Sequence, residues 1–166
     1  MVDVGNLDEK TRKLLACKAS VIELFGERMN GKSKAIIWDW IVHSNKHGSD
    51  AAGALFFLEQ RIIRSTKHWL AQEFRSYFSN VEKSRDHYYM ESGACLNFFY
   101  GRDLNDICSI SGDEYTWAAF DNMPPFFSYG LPAQLLGYMR SAHGVERRLI
   151  ICRTQTDQHQ FIHFGR

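Results

Sequence analysis

Residues 26–33 read GERMNGKS, in which two glycines precede a lysine and a serine in the spacing G-x-x-x-x-G-K-S. Loops with this spacing bind phosphate, because their glycines let several backbone N–H groups point at phosphate oxygens. The lysine reaches the terminal phosphates of a nucleoside triphosphate, and the serine hydroxyl binds the accompanying Mg²⁺. The alternative interpretation of the same eight residues is a solvated turn between two elements.

Such a loop requires a strand before it and a helix after it, and the flanking residues fit both. Residues 20–25 (SVIELF) form a short apolar run that is typical of a buried strand. Residues 32–46 repeat apolar side chains at helical spacing, which predicts a helix whose positive amino-terminal end faces phosphate. This context favours a nucleotide site over a plain turn. The residues predicted to contact the nucleotide are Gly26, Glu27, Met29, Asn30, Gly31, Lys32 and Ser33.

The second requirement of such a site is an acidic residue that helps to hold Mg²⁺ at the end of a neighbouring strand. Residues 115–121 (YTWAAFD) supply one, because an apolar run ends there at Asp121. A rival is Glu59, which follows the apolar run 54–58; we rank it second because Asp is the usual residue. Ser33 and Asp121 are thus the predicted metal ligands. The alternative for Asp121 is a turn-forming Asp-Asn pair.

The rest of the chain alternates short apolar runs with helical patterns. This alternation predicts a mainly parallel sheet flanked by helices, and together with the phosphate-loop pattern it predicts an α/β fold of the P-loop NTPase type. No linker composition divides the 166 residues, so we expect one domain over residues 1–166. Further strands are predicted at 96–100, 107–110 and 148–152, and further helices at 8–18, 65–83 and 132–143.

Composition argues against several classes of protein. The net charge of +1 provides no overall basic field of the kind that marks many nucleic-acid-binding proteins. The four cysteines are far apart and form no C-x-x-C pair, which argues against a zinc site or a disulfide framework and favours reduced thiols. The N-terminal residues contain no apolar core of signal-peptide type, and no apolar stretch approaches the length of a membrane span, so we expect a cytoplasmic protein without a membrane partner.

Three stretches resemble the N-terminal ATPase domain of the large terminase subunit of tailed phages, the motor of DNA packaging. The first, IELFGERMNGKSKAIIWDWI, carries Arg28 ahead of the second glycine, where that family commonly has an arginine. The second, GDEYTWAAFDNMPPF, resembles the family's acidic strand. The third, LLGYMRSAHGVERRLIICRTQ, resembles its helix, arginine-rich turn and following strand. The resemblance covers residues 15–156.

The resemblance implies a role for each matching residue. Lys32 and Ser33 would bind the phosphates of ATP and Mg²⁺, and Asp121 would hold the metal. Arg28 would approach the γ-phosphate as an arginine supplied in cis. The predicted catalytic residues are Arg28, Lys32, Asp121 and Asn122.

The resemblance also implies coupling to movement and a set of partners. Thr154 or Gln155 would occupy the coupling motif that senses the γ-phosphate. The family forms a homo-oligomeric ring on double-stranded DNA and works with a portal and a small terminase subunit. The same partners, in the cytoplasm of a host cell, are implied for this chain.

Two features depart from the family's pattern. The family has Glu directly after the metal-binding Asp, to orient or activate the attacking water, whereas this chain has Asn122. An amide can position water but cannot accept its proton, so we expect slow or absent hydrolysis with binding retained. The coupling motif is usually richer in Thr, Gly and Asn than residues 154–156 (TQT). The 166 residues also leave no room for the family's nuclease domain.

Two other functions fit parts of the sequence. A nucleotide-binding or purely structural module that has lost catalysis is favoured by Asn122. Residues 132–153 also resemble phospholipase-D-like sensor domains, although the H-x-K motif of the active enzymes is absent. The sensor interpretation requires residues 26–33 to lie far from Asp121.

Several polar groups have a functional and a plainer interpretation. A ring-forming ATPase could present an arginine to its neighbour from the turn before the last predicted strand, and the alternative is surface charge. A basic cluster of two arginines and a lysine could contact phosphates, but a solvated face is favoured. Histidine pairs four apart suit zinc only weakly when no further ligand is near. The arginines near that turn are Arg140, Arg147 and Arg148, and the basic cluster is Arg61, Arg64 and Lys67. The histidine pairs are His43 with His47 and His159 with His163.

Overall fold

The computed structural model describes residues 6–27, 31–81, 87–101, 114–123, 131–141, 143–154 and 161–164. Helices in these ranges are α1 (Glu9–Ala16), α2 (Lys32–His47), α3 (Gln60–Glu73) and α4 (Leu131–Tyr138). Strands are β1 (Val21–Gly26), β2 (Ala52–Phe57), β3 (Phe78–Val81), β4 (His87–Met90), β5 (Cys95–Tyr100), β6 (Trp117–Asp121), β7 (Arg148–Thr154) and β8 (Phe161–Phe164). Among the residues described, no helix is both long and apolar enough to cross a membrane.

The strands form one sheet in the order β3-β4-β5-β2-β6-β7-β1-β8. The central run from β5 to β1 is parallel, whereas β3, β4 and β8 pair antiparallel at the margins. In the parallel register, Gly26 lies opposite Thr154 and Phe57 lies opposite Asp121. The carboxyl ends of β1, β7, β6 and β2 therefore meet at one edge, where α/β sheets commonly bind ligands. The predicted α/β fold with a mainly parallel sheet is confirmed.

Helices α1, α2 and α3 cover one face of the sheet. Their buried side chains pack with alternate residues of the central strands, such as Ile22 of β1 and Trp117 of β6. Helix α2 approaches β2 so closely that a Cβ atom added to Gly53 would lie 2.7 Å from Cζ3 of Trp40. Glycine at residue 53 therefore lets the α2 indole lie directly against the strand.

The other face of the sheet is packed with α4. Leu135 and Met139, within and just after that helix, share a buried cluster with Phe56, Phe120 and Ile151 from three neighbouring strands. Because β2, β6 and β7 are buried on both faces, their sequences read as continuous apolar runs rather than as alternating patterns. Short runs such as 148–152 could therefore be recognised as strands.

One predicted helix is partly wrong. Residues 65–83 were expected to be helical, but α3 spans Gln60–Glu73 and residues 78–81 form β3. Phe74 and Phe78 are four residues apart, which fits a helix, yet Phe78 packs edge-to-face on Tyr88 of the antiparallel partner β4. That long-range pairing overrides the local period. The strand predicted at 107–110 lies outside the described residues.

Candidate functional site

The phosphate-loop pattern ends at the start of α2. Gly31, the residue before that helix, has φ 82 and ψ 7, and no atom lies within 4 Å of the place where its Cβ would stand. Glycine is favoured there because of this left-handed backbone conformation, not because of crowding. Gly26 closes β1 at the same edge of the sheet. Arg28, Met29 and Asn30 lie outside the described residues, so their roles stay predictions.

Lys32 occupies the first turn of α2 and is 5% exposed. Its ammonium donates hydrogen bonds to the backbone oxygens of Gly26, at 2.8 Å, and Glu27, at 2.6 Å. Burial lowers the pKa of Lys32, while the nearby charge of Asp121 acts in the opposite direction. The ammonium is therefore held among the carbonyl groups at the start of the loop.

Ser33 and Asp121 are brought into direct contact. The Oγ atom of Ser33 donates a hydrogen bond of 2.7 Å to Oδ2 of Asp121, across 88 positions of sequence. The Oδ1 atom of Asp121 is buried and has no hydrogen-bond partner among the described residues. Burial raises the pKa of Asp121, whereas the Ser33 hydrogen bond and the Lys32 charge lower it. A hydroxyl oxygen and a carboxylate with one unpaired buried oxygen are hard donors that fit Mg²⁺.

Asn122 follows Asp121 and has φ 67, in the left-handed region. Asparagine adopts this region more readily than most side chains do. Its Oδ1 atom accepts a hydrogen bond of 3.0 Å from Oγ1 of Thr154, the last residue of β7. The structure thus places Thr154, a predicted coupling residue, against the residue beside Asp121. Gln155 lies outside the described residues.

Glu59, the rival acidic residue, follows β2 by two positions and stands at the N-cap of α3. Phe57, the last residue of β2, lies opposite Asp121, so Glu59 follows a strand that ends at the same edge of the sheet. The Glu59 side chain makes no cap hydrogen bond and accepts one from Nε of Arg61. It is 49% exposed.

The sequence did not reveal a buried ion pair that joins β1 to β7. Glu23 of β1 is fully buried, and its Oε1 atom lies 3.4 Å from Nη2 of Arg153 in β7. The pair joins the strand that precedes the loop to the strand that ends at Thr154. A single glutamate within the apolar run 20–25 was the only available signal, and it did not identify a partner.

Arg147 and Arg148, at the boundary of β7, are engaged within the chain. Arg148 is 15% exposed and forms an ion pair with Asp39, with 2.7 Å between Nη2 and Oδ1. It also donates to the backbone oxygens of Leu14 and Cys17 near the end of α1. This burial is inconsistent with an arginine presented to a neighbouring subunit. Arg147 donates to the carbonyls of Leu136 and Met139, while Arg140 is exposed.

The two histidines of α2 contact each other, and the first of them is buried. His43 is buried and lies 3.1 Å from Oγ1 of Thr116, and its ring centroid is 4.7 Å from that of His47. Within the ranges that the structure describes, no group of three His, Cys, Asp or Glu side chains is arranged to hold a metal. His159 and the side chain of His163 lie outside the described part.

Comparisons with known proteins found solved structures similar to that of this chain but no match from its sequence. No protein-family model and no curated protein matches it. A large terminase from a thermophilic bacteriophage matches with a TM-score of 0.60 and 14% identity, over 87% of this chain and 38% of that one. A variant of the large terminase ATPase domain of a Thermus phage matches with a TM-score of 0.51 and 14% identity, over 91% of this chain and 71% of that one.

This chain spans 38% of the length of the first of these two proteins, and identities of 14% concern the fold alone. The match extends over most of the described sheet and helices, with the same α/β architecture that the sequence predicted. The chain therefore has the fold of the ATPase domain of phage large terminases, as its resemblance to that family implied.

Proposed function

We propose that the chain is the ATP-binding motor domain of a viral DNA-packaging terminase. The hydrogen bond between Ser33 and Asp121 supports this proposal most directly. In such domains, Mg²⁺ is held beside the triphosphate by two side chains. One is the serine after the phosphate-loop lysine, and the other is the acidic residue at the end of a neighbouring strand.

The chain's own residues would divide the work of binding. Backbone N–H groups of the phosphate loop and of the first turn of α2 would face the phosphates. Lys32 exchanges the carbonyl oxygens of Gly26 and Glu27 for phosphate oxygens. Ser33 and Asp121 hold Mg²⁺, which neutralises part of the phosphate charge when it is bound.

The remaining family roles belong to the same proposal. Arg28 stabilises negative charge on the γ-phosphate in cis, and Thr154 or Gln155 senses that phosphate. Thr154 is suited to this role because its hydroxyl contacts Asn122, next to the proposed metal ligand. Residues 1–166 act as one ATPase unit of a homo-oligomeric ring on double-stranded DNA, alongside a portal and a small terminase subunit.

Calorimetric titration with ATP and Mg²⁺ tests binding. Lys32→Ala should weaken ATP binding roughly 10- to 100-fold, because it removes a charged hydrogen-bond donor to phosphate. Lys34→Ala is the matched control, since Lys34 is the next lysine of α2 but bonds Glu73 at the surface. The affinity of Lys34→Ala for ATP should equal that of the wild type. Well-folded wild type without Mg²⁺-dependent ATP binding would contradict the proposal.

A binding module with degenerate catalysis is the second candidate, and Asn122 is the feature that favours it. Steady-state ATPase assays of the wild type and Asn122→Glu separate the two. A large gain of turnover in the variant supports a degenerate site, whereas brisk turnover by the wild type rules it out. Because residue 122 is left-handed, glutamate costs about 1–2 kcal/mol there, so folding of the variant must be verified by its melting curve.

The sensor-domain interpretation requires residues 26–33 to lie far from Asp121. Ser33 instead contacts Asp121 directly, so no observation favours that interpretation.

A further inference from the structure

We propose that Glu59 is the general base of this site and accepts the proton of the water that attacks the γ-phosphate. The inference rests on the proposed function, because it concerns hydrolysis of the ATP bound there. Asn122 occupies the position that directly follows the proposed metal ligand, and its amide cannot take up that proton. A carboxylate that accepts this proton must therefore come from another element.

The order of the strands places Glu59 across Asp121 from the phosphate loop. The sheet runs β2-β6-β7-β1, so the phosphate loop after β1 and Glu59 after β2 lie on opposite sides of Asp121 in β6. Ser33 already bridges from the loop helix to Asp121. A triphosphate that extends from the loop toward these two residues has its last phosphate near the end of β6, whose neighbour on the far side is β2. Neighbouring strands lie only about 4.8 Å apart.

The Glu59 side chain does not cap the helix that it precedes. Aspartate, asparagine, serine and threonine side chains at an N-cap accept a hydrogen bond from the helix backbone, and glutamate is not among these capping residues. Glu59 is the N-cap of α3 but makes no such bond, and its partner is Arg61, whose side chain is 82% exposed. The carboxylate is held by a surface arginine and is half-exposed, so water can reach it.

The other acidic residues described near this edge are either engaged in contacts or lie on the loop side of Asp121. Asp121 accepts the Ser33 hydroxyl. Glu23 is fully buried against Arg153 and is inaccessible to attacking water. Glu27 belongs to the phosphate loop after β1, and its backbone oxygen binds Lys32. Glu59 is thus the described carboxylate on the far side of Asp121 from the loop.

The step balances with water as the second reactant. The water oxygen forms a bond to the γ-phosphorus, and the bond from that phosphorus to the bridging oxygen breaks. Its electron pair leaves with ADP. One water proton passes to the Glu59 carboxylate, which later releases it to solvent, and inorganic phosphate departs.

Glu59→Gln is the direct test, because it keeps the shape of the side chain and removes its basicity. Calorimetry should give an ATP affinity within about twofold of wild type, while single-turnover hydrolysis should fall roughly 10²- to 10⁴-fold. Glu73→Gln is the matched control, since Glu73 is also on α3, is 47% exposed and pairs with a lysine. It should change neither quantity.

Two further measurements separate a base from a structural residue. Mass spectrometry of the nucleotide retained by Glu59→Gln should show intact ATP where the wild type retains ADP. Adding Asn122→Glu to the Glu59→Gln variant should restore turnover, because it supplies a carboxylate directly after Asp121.

The possible failures are distinguishable. Wild type that does not bind ATP overturns the proposed function and this inference with it. If the wild type binds ATP but never hydrolyses it, only the role of Glu59 is overturned. The same holds if Glu59→Gln hydrolyses ATP at the wild-type rate. A large loss of affinity in Glu59→Gln assigns Glu59 to binding and likewise overturns its role as base.

Discussion

Arg148→Met should strongly destabilise the fold, because Arg148 neutralises a buried carboxylate. Its Nε and Nη2 atoms bond both oxygens of Asp39, at distances of 2.7–3.0 Å, and the Asp39 side chain is 3% exposed. The other Asp39 partner is Nε1 of Trp117, a neutral donor at 2.9 Å. Methionine preserves most of the aliphatic volume of arginine but leaves the Asp39 charge buried without a counter-charge.

The expected cost is about 3–5 kcal/mol, the usual penalty when one partner of a buried ion pair is removed. Total stabilities of single domains are about 5–15 kcal/mol, so a large part of the stability would be lost. At roughly 2–4 °C per kcal/mol for a chain of this size, the melting temperature should fall by roughly 6–20 °C. Urea denaturation followed by circular dichroism measures the free energy of unfolding directly.

Two further variants sharpen this test. Arg140→Met removes an exposed arginine nearby and should change stability by no more than about 0.5 kcal/mol. Asp39→Asn combined with Arg148→Met should recover part of the loss, because the uncompensated charge is then gone while an amide oxygen can still accept from Trp117. An Arg148→Met cost below about 1 kcal/mol, equal to that of Arg140→Met, would refute the reasoning.

Two other predictions concern packing and pH. Gly53→Ala should cost about 1–3 kcal/mol in urea denaturation, because its Cβ would lie 2.7 Å from Trp40. The control Gly137→Ala meets no atom within 4 Å and should gain about 0.5–1 kcal/mol in α4. Burial lowers the pKa of His43 from 6.5 to about 3, so the unfolded chain binds a proton that the folded chain excludes. The free energy of unfolding should therefore fall as pH drops from 6.5 to about 3, by up to about 1.4 kcal/mol per pH unit. His43→Gln can keep a hydrogen bond to Thr116 and should reduce the dependence of the unfolding free energy on pH, measured by urea titrations at several pH values. An unchanged pH dependence in this variant would contradict the assignment to His43.

The sequence predicted the central part of the fold because its signals there are local. The strand before residue 26 and the helix after residue 31 are each visible as a short pattern. Asp121 could be placed because a strand buried on both faces reads as an apolar run with a clear end. Parallel pairing then brings such ends to one edge, which is the geometry that the structure has.

Contacts between distant residues could not be predicted in the same way. Arg148 was interpreted as surface charge or a presented arginine, because nothing near it in sequence identifies Asp39, 109 positions away, as its partner. Likewise, β3 was taken for the end of a helix, since its partner β4 is formed by a later segment. The left-handed backbone of Asn122 and its bond to Thr154 also depend on how β6 and β7 meet.

A crystal structure of the chain with a nonhydrolysable ATP analogue and Mg²⁺ would locate the nucleotide site. We predict that the triphosphate lies along residues 26–33 with Lys32 against its terminal phosphates. Mg²⁺ should bond Oγ of Ser33 at about 2.0–2.1 Å, with Asp121 beside it. A nucleotide bound elsewhere, or an ion remote from Ser33 with the Ser33–Asp121 hydrogen bond unchanged, would contradict the proposed site.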